Sequence, residues 1–155
     1  MNWRDWLEKW GMTSLRIKMG LLESEWKPQD PDKNAAWEMY VELVTRITTH
    51  PMQEEDGNDS AALSSVYQLF PITRQVLREQ GRGAVEFAKL AVVILNQKIR
   101  PFTSKWHRIC EEGKLAENHF EFRRELAELQ SILLTYTKML GDMAGVEEDL
   151  CSLDD

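Results

Sequence analysis

The chain has 155 residues, 43% of them hydrophobic, with six tryptophans and a formal net charge of −7. That length and composition describe one folded domain with a sizeable core and exclude a disordered chain. The acidic balance argues against broad nucleic-acid binding, which needs a basic footprint.

The charge is unevenly spread. QEEDGND (53–59) and EEDLCSLDD (147–155) hold nine of the 26 acids and no base, leaving 17 acids against 19 bases elsewhere. Residues 52–59 therefore read as a solvated acidic loop within a single helical domain over 1–146, and residues 147–155 as a flexible acidic tail. The opening MNWRDWLEKWG lacks the apolar region of a secretory signal. The longest apolar run, LAVVIL (90–95), is far short of the ~20 residues a spanning helix needs. The expectation is a soluble, cytoplasmic protein with no membrane contact. Cys110 and Cys151 are too few and too far apart for a disulfide framework or a zinc knuckle, and read as free thiols.

The first segment, NWRDWLEKWG, spaces Trp3, Trp6, Leu7 and Trp10 as a short amphipathic helix stopped by Gly11. Its tryptophans either staple the helix to the core or present a ridge to a partner. In SLRIKMGLLESEWKP, apolar and polar residues alternate on both sides of Gly20. Period two predicts a small β-hairpin over 14–27, with a continuous helix as the competing reading.

Asp30 and Pro31 then open a helix as cap and first helical residue, and Asp32 suits its positive end. Trp37, Tyr40, Val41, Val44 and Ile47 form its apolar stripe. His50 suits its C-terminal end before Pro51 stops it. Asp59 or Ser60 caps the next helix, which Pro71 breaks or kinks and which stops at Gly81 or Gly83. AVEFAKLAVVILNQKI is apolar on most faces and predicts the central helix, with Phe87, Ala88, Ala91, Val92, Leu95 and Ile99 innermost. Pro101 bends it, and FTSKWHRICEEG carries it on to Gly113. Phe122, Leu126, Leu129, Leu133, Tyr136, Leu140 and Met143 mark a last long helix ending at Gly145. The fold expected is mainly α: an up-down bundle of four to five helices.

Several site chemistries lack their residues. There is no glycine-rich phosphate loop, no Glu-x-x-His pair, no Cys–His cluster at zinc spacing and no Gly-x-Ser-x-Gly elbow. No metal or cofactor is expected. His107 and Glu111 share a face at i, i+4 and read as a surface pair. His119 reads as surface. Arg74, Arg78 and Arg82 recur every four residues as a basic stripe suited to phosphate or carboxylate groups.

RPFTSKWH gathers Arg100, Lys105, Trp106, His107 and, one residue on, Arg108. Its Arg-x6-His spacing resembles the motif of the HEPN ribonuclease superfamily, helical bundles that pair as dimers around a metal-independent RNA-cleaving site. The resemblance implies His107 as acid/base and Arg100 as the stabiliser of developing phosphate charge. Pro101 is expected to push Arg100 out of helical geometry and so to disturb that pair.

The residues favour a non-catalytic helical protein–protein interaction module: a small cytosolic subunit or adaptor of a larger assembly, for instance in bacterial signalling or defence. It would bind a protein partner, or a second copy, through Trp3, Trp6 and Trp10 or through residues 100–108, since aromatics and arginines carry most interface energy. The HEPN-like ribonuclease is the alternative.

Overall fold

The computed structural model describes residues 1–46 and 58–153. Among them the secondary structure is helical: α1 (Trp3–Lys9), α2 (Met19–Glu23), α3 (Asp30–Val44), α4 (Asp59–Tyr67), α5 (Leu69–Gln80), α6 (Val85–Ile94), α7 (Arg100–Glu111) and α8 (His119–Ala144). The expected mainly-α bundle is present. α3 packs along α8 and also against α5 and α6, while α7 lies against α4 and α8. None of the described helices is long and apolar enough to cross a membrane. Ile47, His50 and Pro51, and most of the acidic loop, lie outside the described residues.

The N-terminal segment docks by its indoles. Asn2 caps α1 by accepting from the Asp5 N–H at 2.9 Å. Trp3 and Trp6 are wholly buried, and Trp6 stacks on Trp26 with ring centroids 4.7 Å apart. No hairpin forms over 14–27. Met19–Glu23 is a short helix, and the extended flanks pair elsewhere. Asn2 bridges Glu25, while the Gln97 side-chain amide donates to the Arg16 carbonyl and accepts from its N–H, at 2.7 and 2.8 Å. Alternation over these residues reflects extended chain clipped to neighbours, since an isolated two-stranded ribbon has little to hold it.

α3 starts one residue earlier than its proline suggested, with Gln29 as cap and Pro31 inside the first turn. Asp32 is buried and serves two helix starts. Its Oδ2 accepts from Gln29 N at 2.8 Å, and its Oδ1 accepts from Phe87 N in the first turn of α6 at 3.0 Å. Both contacts place a carboxylate where unpaired N–H groups and the helix dipole favour it. A methyl group on Gly83 would lie 2.7 Å from the Pro31 side chain, so the 3-10 turn that enters α6 can approach α3 this closely only with glycine there.

Two expected core stripes are kept in part: Tyr40 on α3, Phe87 and Ala91 on α6, and Ile99 beyond it are buried as expected. On α3 the buried residues are Ala35, Ala36, Met39, Tyr40 and Leu43, and Trp37 and Val41 are left 45% and 38% exposed. On α6 the inner line is Phe87, Leu90, Ala91 and Ile94, and Val92 faces outward. Breaks also move. α4 and α5 part at Gln68, one turn before Pro71, which then sits in the first turn of α5 where its missing N–H costs nothing. Asn58 caps α4, accepting from Ala61 N at 3.1 Å. α8 ends as expected, at Gly145 in the left-handed region.

The tail is tied down over its described part. A turn at Leu150–Ser152 folds back so that the Leu150 N–H donates to the Tyr40 hydroxyl at 2.9 Å. Burial raises the Tyr40 hydroxyl above its ordinary pKa. Burial, then the neighbouring Asp149, pushes the Cys151 thiol up to about 11. Through Ser152 the described part of the tail thus lies against α3.

Candidate functional site

The sequence pointed to three surfaces. The tryptophan ridge is internal. Trp3 donates its indole N–H to Glu86 Oε2 at 2.9 Å. Trp6, Trp10 and Lys9 all donate to Asp142 Oδ2, at 2.8, 3.2 and 3.3 Å. One carboxylate on α8 thus holds the polar edge of α1, and the indole faces fill the core. Trp3 and Trp6 are absent from the free surface, and Trp10 only borders it.

The basic stripe is split. Arg74 and Arg78 are exposed on α5, but Gly81, at φ +72°, ends that helix. Arg82 sits in the following 3-10 turn.

The RPFTSKWH stretch is helical throughout, which corrects the expectation at Pro101. Arg100 has φ −58° and ψ −44°, inside the right-handed helical region. The adjustment lies one turn earlier. Residues Leu95–Ile99 form a π-helical turn in which the Arg100 N–H reaches back to the Leu95 carbonyl. The widened turn accommodates the proline ring and its missing donor. Arg100 and His107 consequently share one face of α7, turned towards the α4–α5 corner. The Arg100 guanidinium lies 4.8 Å from the Phe70 ring centre and donates to Asn96 Oδ1 at 3.2 and 3.3 Å. His107 meets Tyr67 edge-on at 5.0 Å. Tyr67 and Phe70 touch each other at 5.7 Å, so two rings stand between the two basic groups. Trp106 is buried, packed edge-on against Phe122 at 5.1 Å. Lys105 is held by Glu125 at 2.6 Å and Glu121 at 3.0 Å. These two hydrogen-bonded carboxylates raise its pKa. Of the basic residues in the stretch, Arg100 and Arg108 are exposed.

Two arrangements escaped the sequence reading. The first is a His–Asp–Arg cluster joining the starts of α4 and α8. Asp59 Oδ2 meets His119 Nδ1 at 2.6 Å, and Asp59 Oδ1 accepts from Arg123 Nε at 2.6 Å. His119 is thus paired and part-buried. Its partner lies 60 residues away in sequence, where no local spacing rule reaches. Among the described residues, no group of three or more His, Cys, Asp or Glu side chains could hold a metal.

The second is a groove of about 290 Å³ between α3 and α5. Trp37, Val41, Ile72 and Val76 form its apolar floor, and Glu38, Glu42 and Glu79 stand at its edge. Trp37 is braced by Tyr40, stacked at 5.9 Å. The Glu42 carboxylate pairs with Arg46 at 3.0 Å, and Glu79 accepts from the Gln75 amide at 2.9 Å. One oxygen of Glu38, Oε2, is buried without a hydrogen-bond partner. The signal was present in the sequence: Trp37 and Val41 belong to a genuine apolar stripe on α3, but one the core leaves uncovered.

Comparison of the chain with protein-family models, with curated proteins and with solved structures returned no match.

Proposed function

We propose that the protein is a non-catalytic helical interaction module, a small cytosolic subunit or adaptor that binds a protein partner through the groove between α3 and α5. One observation carries this reading: Trp37 and Val41 lie 45% and 38% exposed, side by side on an apolar floor. Exposed aromatics on such a floor, edged by polar groups, are the usual anatomy of a binding patch. The test is quantitative affinity capture from native extract with wild type and Trp37→Ala. A discrete partner is expected with the wild type and about tenfold less of it with the variant, corresponding to a lost interface anchor. The melting temperature should change little, because Trp37 is not in the core. Identical recovery by both proteins would overturn the groove as the contact surface.

A second reading is favoured by a specific feature. Arg100 and His107 share a face of continuous helix, the placement that the resemblance to HEPN ribonucleases requires. In that reading two copies would bring their α7 faces together around RNA. It predicts metal-independent cleavage of RNA in the presence of EDTA. His107→Ala should reduce that cleavage by about two to four orders of magnitude, the usual contribution of a general acid–base. Wild-type protein that leaves structured and single-stranded RNA intact, as monomer and as dimer, would end it.

A further inference from the structure

Resting on the reading of the α3–α5 groove as an interface, we infer that its occupant is a cationic amphipathic helix, an apolar ridge flanked by lysine or arginine. The groove has the shape for a helix, because it runs between two helices and its floor is supplied by side chains a turn apart: Trp37 and Val41 on α3, Ile72 and Val76 on α5. Its charge is of one sign. Glu38, Glu42 and Glu79 line it, and among the described residues no lysine or arginine does. Arg46 offsets part of the Glu42 charge. Glu38 Oε2 is buried with no donor, a costly state that is relieved when the side chain turns outward to meet a lysine ammonium or arginine fork at the groove edge.

The same charge excludes nearer occupants. The chain's own acidic stretches at 53–59 and 147–155 would place carboxylates against carboxylates. A neutral ridge would cover the floor but leave Glu38 unpaired. A partner whose cations flank its apolar ridge satisfies both parts of the site and gains in association rate from the field at the groove mouth.

Three labelled helical peptides of about 18 residues, long enough to hold helix on a surface, share one leucine ridge and differ only in flanking lysine, glutamine or glutamate. Binding to the full chain is read by fluorescence anisotropy against salt. The lysine peptide is expected to bind about tenfold or more tightly than the glutamine peptide, with the glutamate peptide weakest and the preference falling as salt rises. Trp37→Ala should abolish binding of the lysine peptide, and Glu38→Gln with Glu79→Gln should erase the lysine preference while leaving the leucine-dependent part. Equal, Trp37-dependent binding of the lysine and glutamine peptides overturns the cationic inference and leaves the interface reading standing. Lysine-peptide binding that survives Trp37→Ala is general attraction to an acidic protein and also overturns it. So does a concentration-dependent dimer in sedimentation that Trp37→Ala dissolves, since the occupant is then a second copy. Absence of Trp37-dependent binding by any of the three peptides overturns the inference, while partner capture with the same variant judges the interface separately.

Discussion

At the scale of single residues, one carboxylate does more than its neighbours. Asp142 receives three donors on one oxygen, from Trp6 and Lys9 of α1 and from Trp10 just after it. Asp142→Ala would leave the Trp6 indole N–H buried and unpaired, a loss of about 1–3 kcal/mol. A chemical-denaturation curve should show that loss, and amide exchange in α1 should accelerate more than exchange in α3. Unchanged stability would mean that indole packing alone holds α1. Such residues were legible only in part. Trp3, Trp6 and Leu7 could be recognised as one helical face from their spacing, but the partners of their polar edges could not. Glu86 and Asp142 lie 83 and 136 residues beyond the indoles they hold. The Asp59 partner of His119 was hidden for the same reason, because that carboxylate belongs to another helix.

At the scale of elements, the sequence located every long helical segment but not always its inner face. α3 carries two apolar faces, one with Ala35, Ala36, Met39, Tyr40 and Leu43, the other with Trp37 and Val41. Size favoured the second in the sequence. Packing buries the first, the face on which Tyr40 meets α8. A methyl group on Gly141 of α8 would lie 3.0 Å from the Tyr40 ring, which records how near that approach is. Pro101 does perturb the helix, but one turn before the residue it was expected to displace: the π-helical turn absorbs the mismatch and keeps α7 regular. Local rules describe what a proline forbids. They do not say which neighbouring turn yields, and here the turn that yields also carries Gln97, the residue that grips Arg16.

At the scale of the whole molecule, acid–base behaviour follows from burial. Tyr136 is pushed above its ordinary range by burial alone, Tyr40 chiefly by burial, and Cys151 from 9.0 to about 11. Above about pH 9 the unfolded chain therefore releases protons that the native chain retains, so the unfolded state binds fewer protons and stability falls as pH rises. Urea midpoints should decline from about pH 9 to pH 11, with a slope of at most about 1.4 kcal/mol per pH unit for each such group. A flat profile over that interval would contradict the buried, protonated state of these side chains. The molecule as a whole also has a built-in order of events. Asp32 completes the first turn of α3 and the first turn of α6, whose Phe87 N–H lies 55 residues away in sequence. During synthesis α3 and its local Gln29–Asp32 bond can form before that N–H exists, so the second bond of Asp32, at the start of α6, waits until α6 has been made and docked. The first turn of α6 is then tied to closing that long loop, and a pulse-labelling experiment should show its amides protected no earlier than those of α3, with Asp32→Ala delaying α6 more than α3.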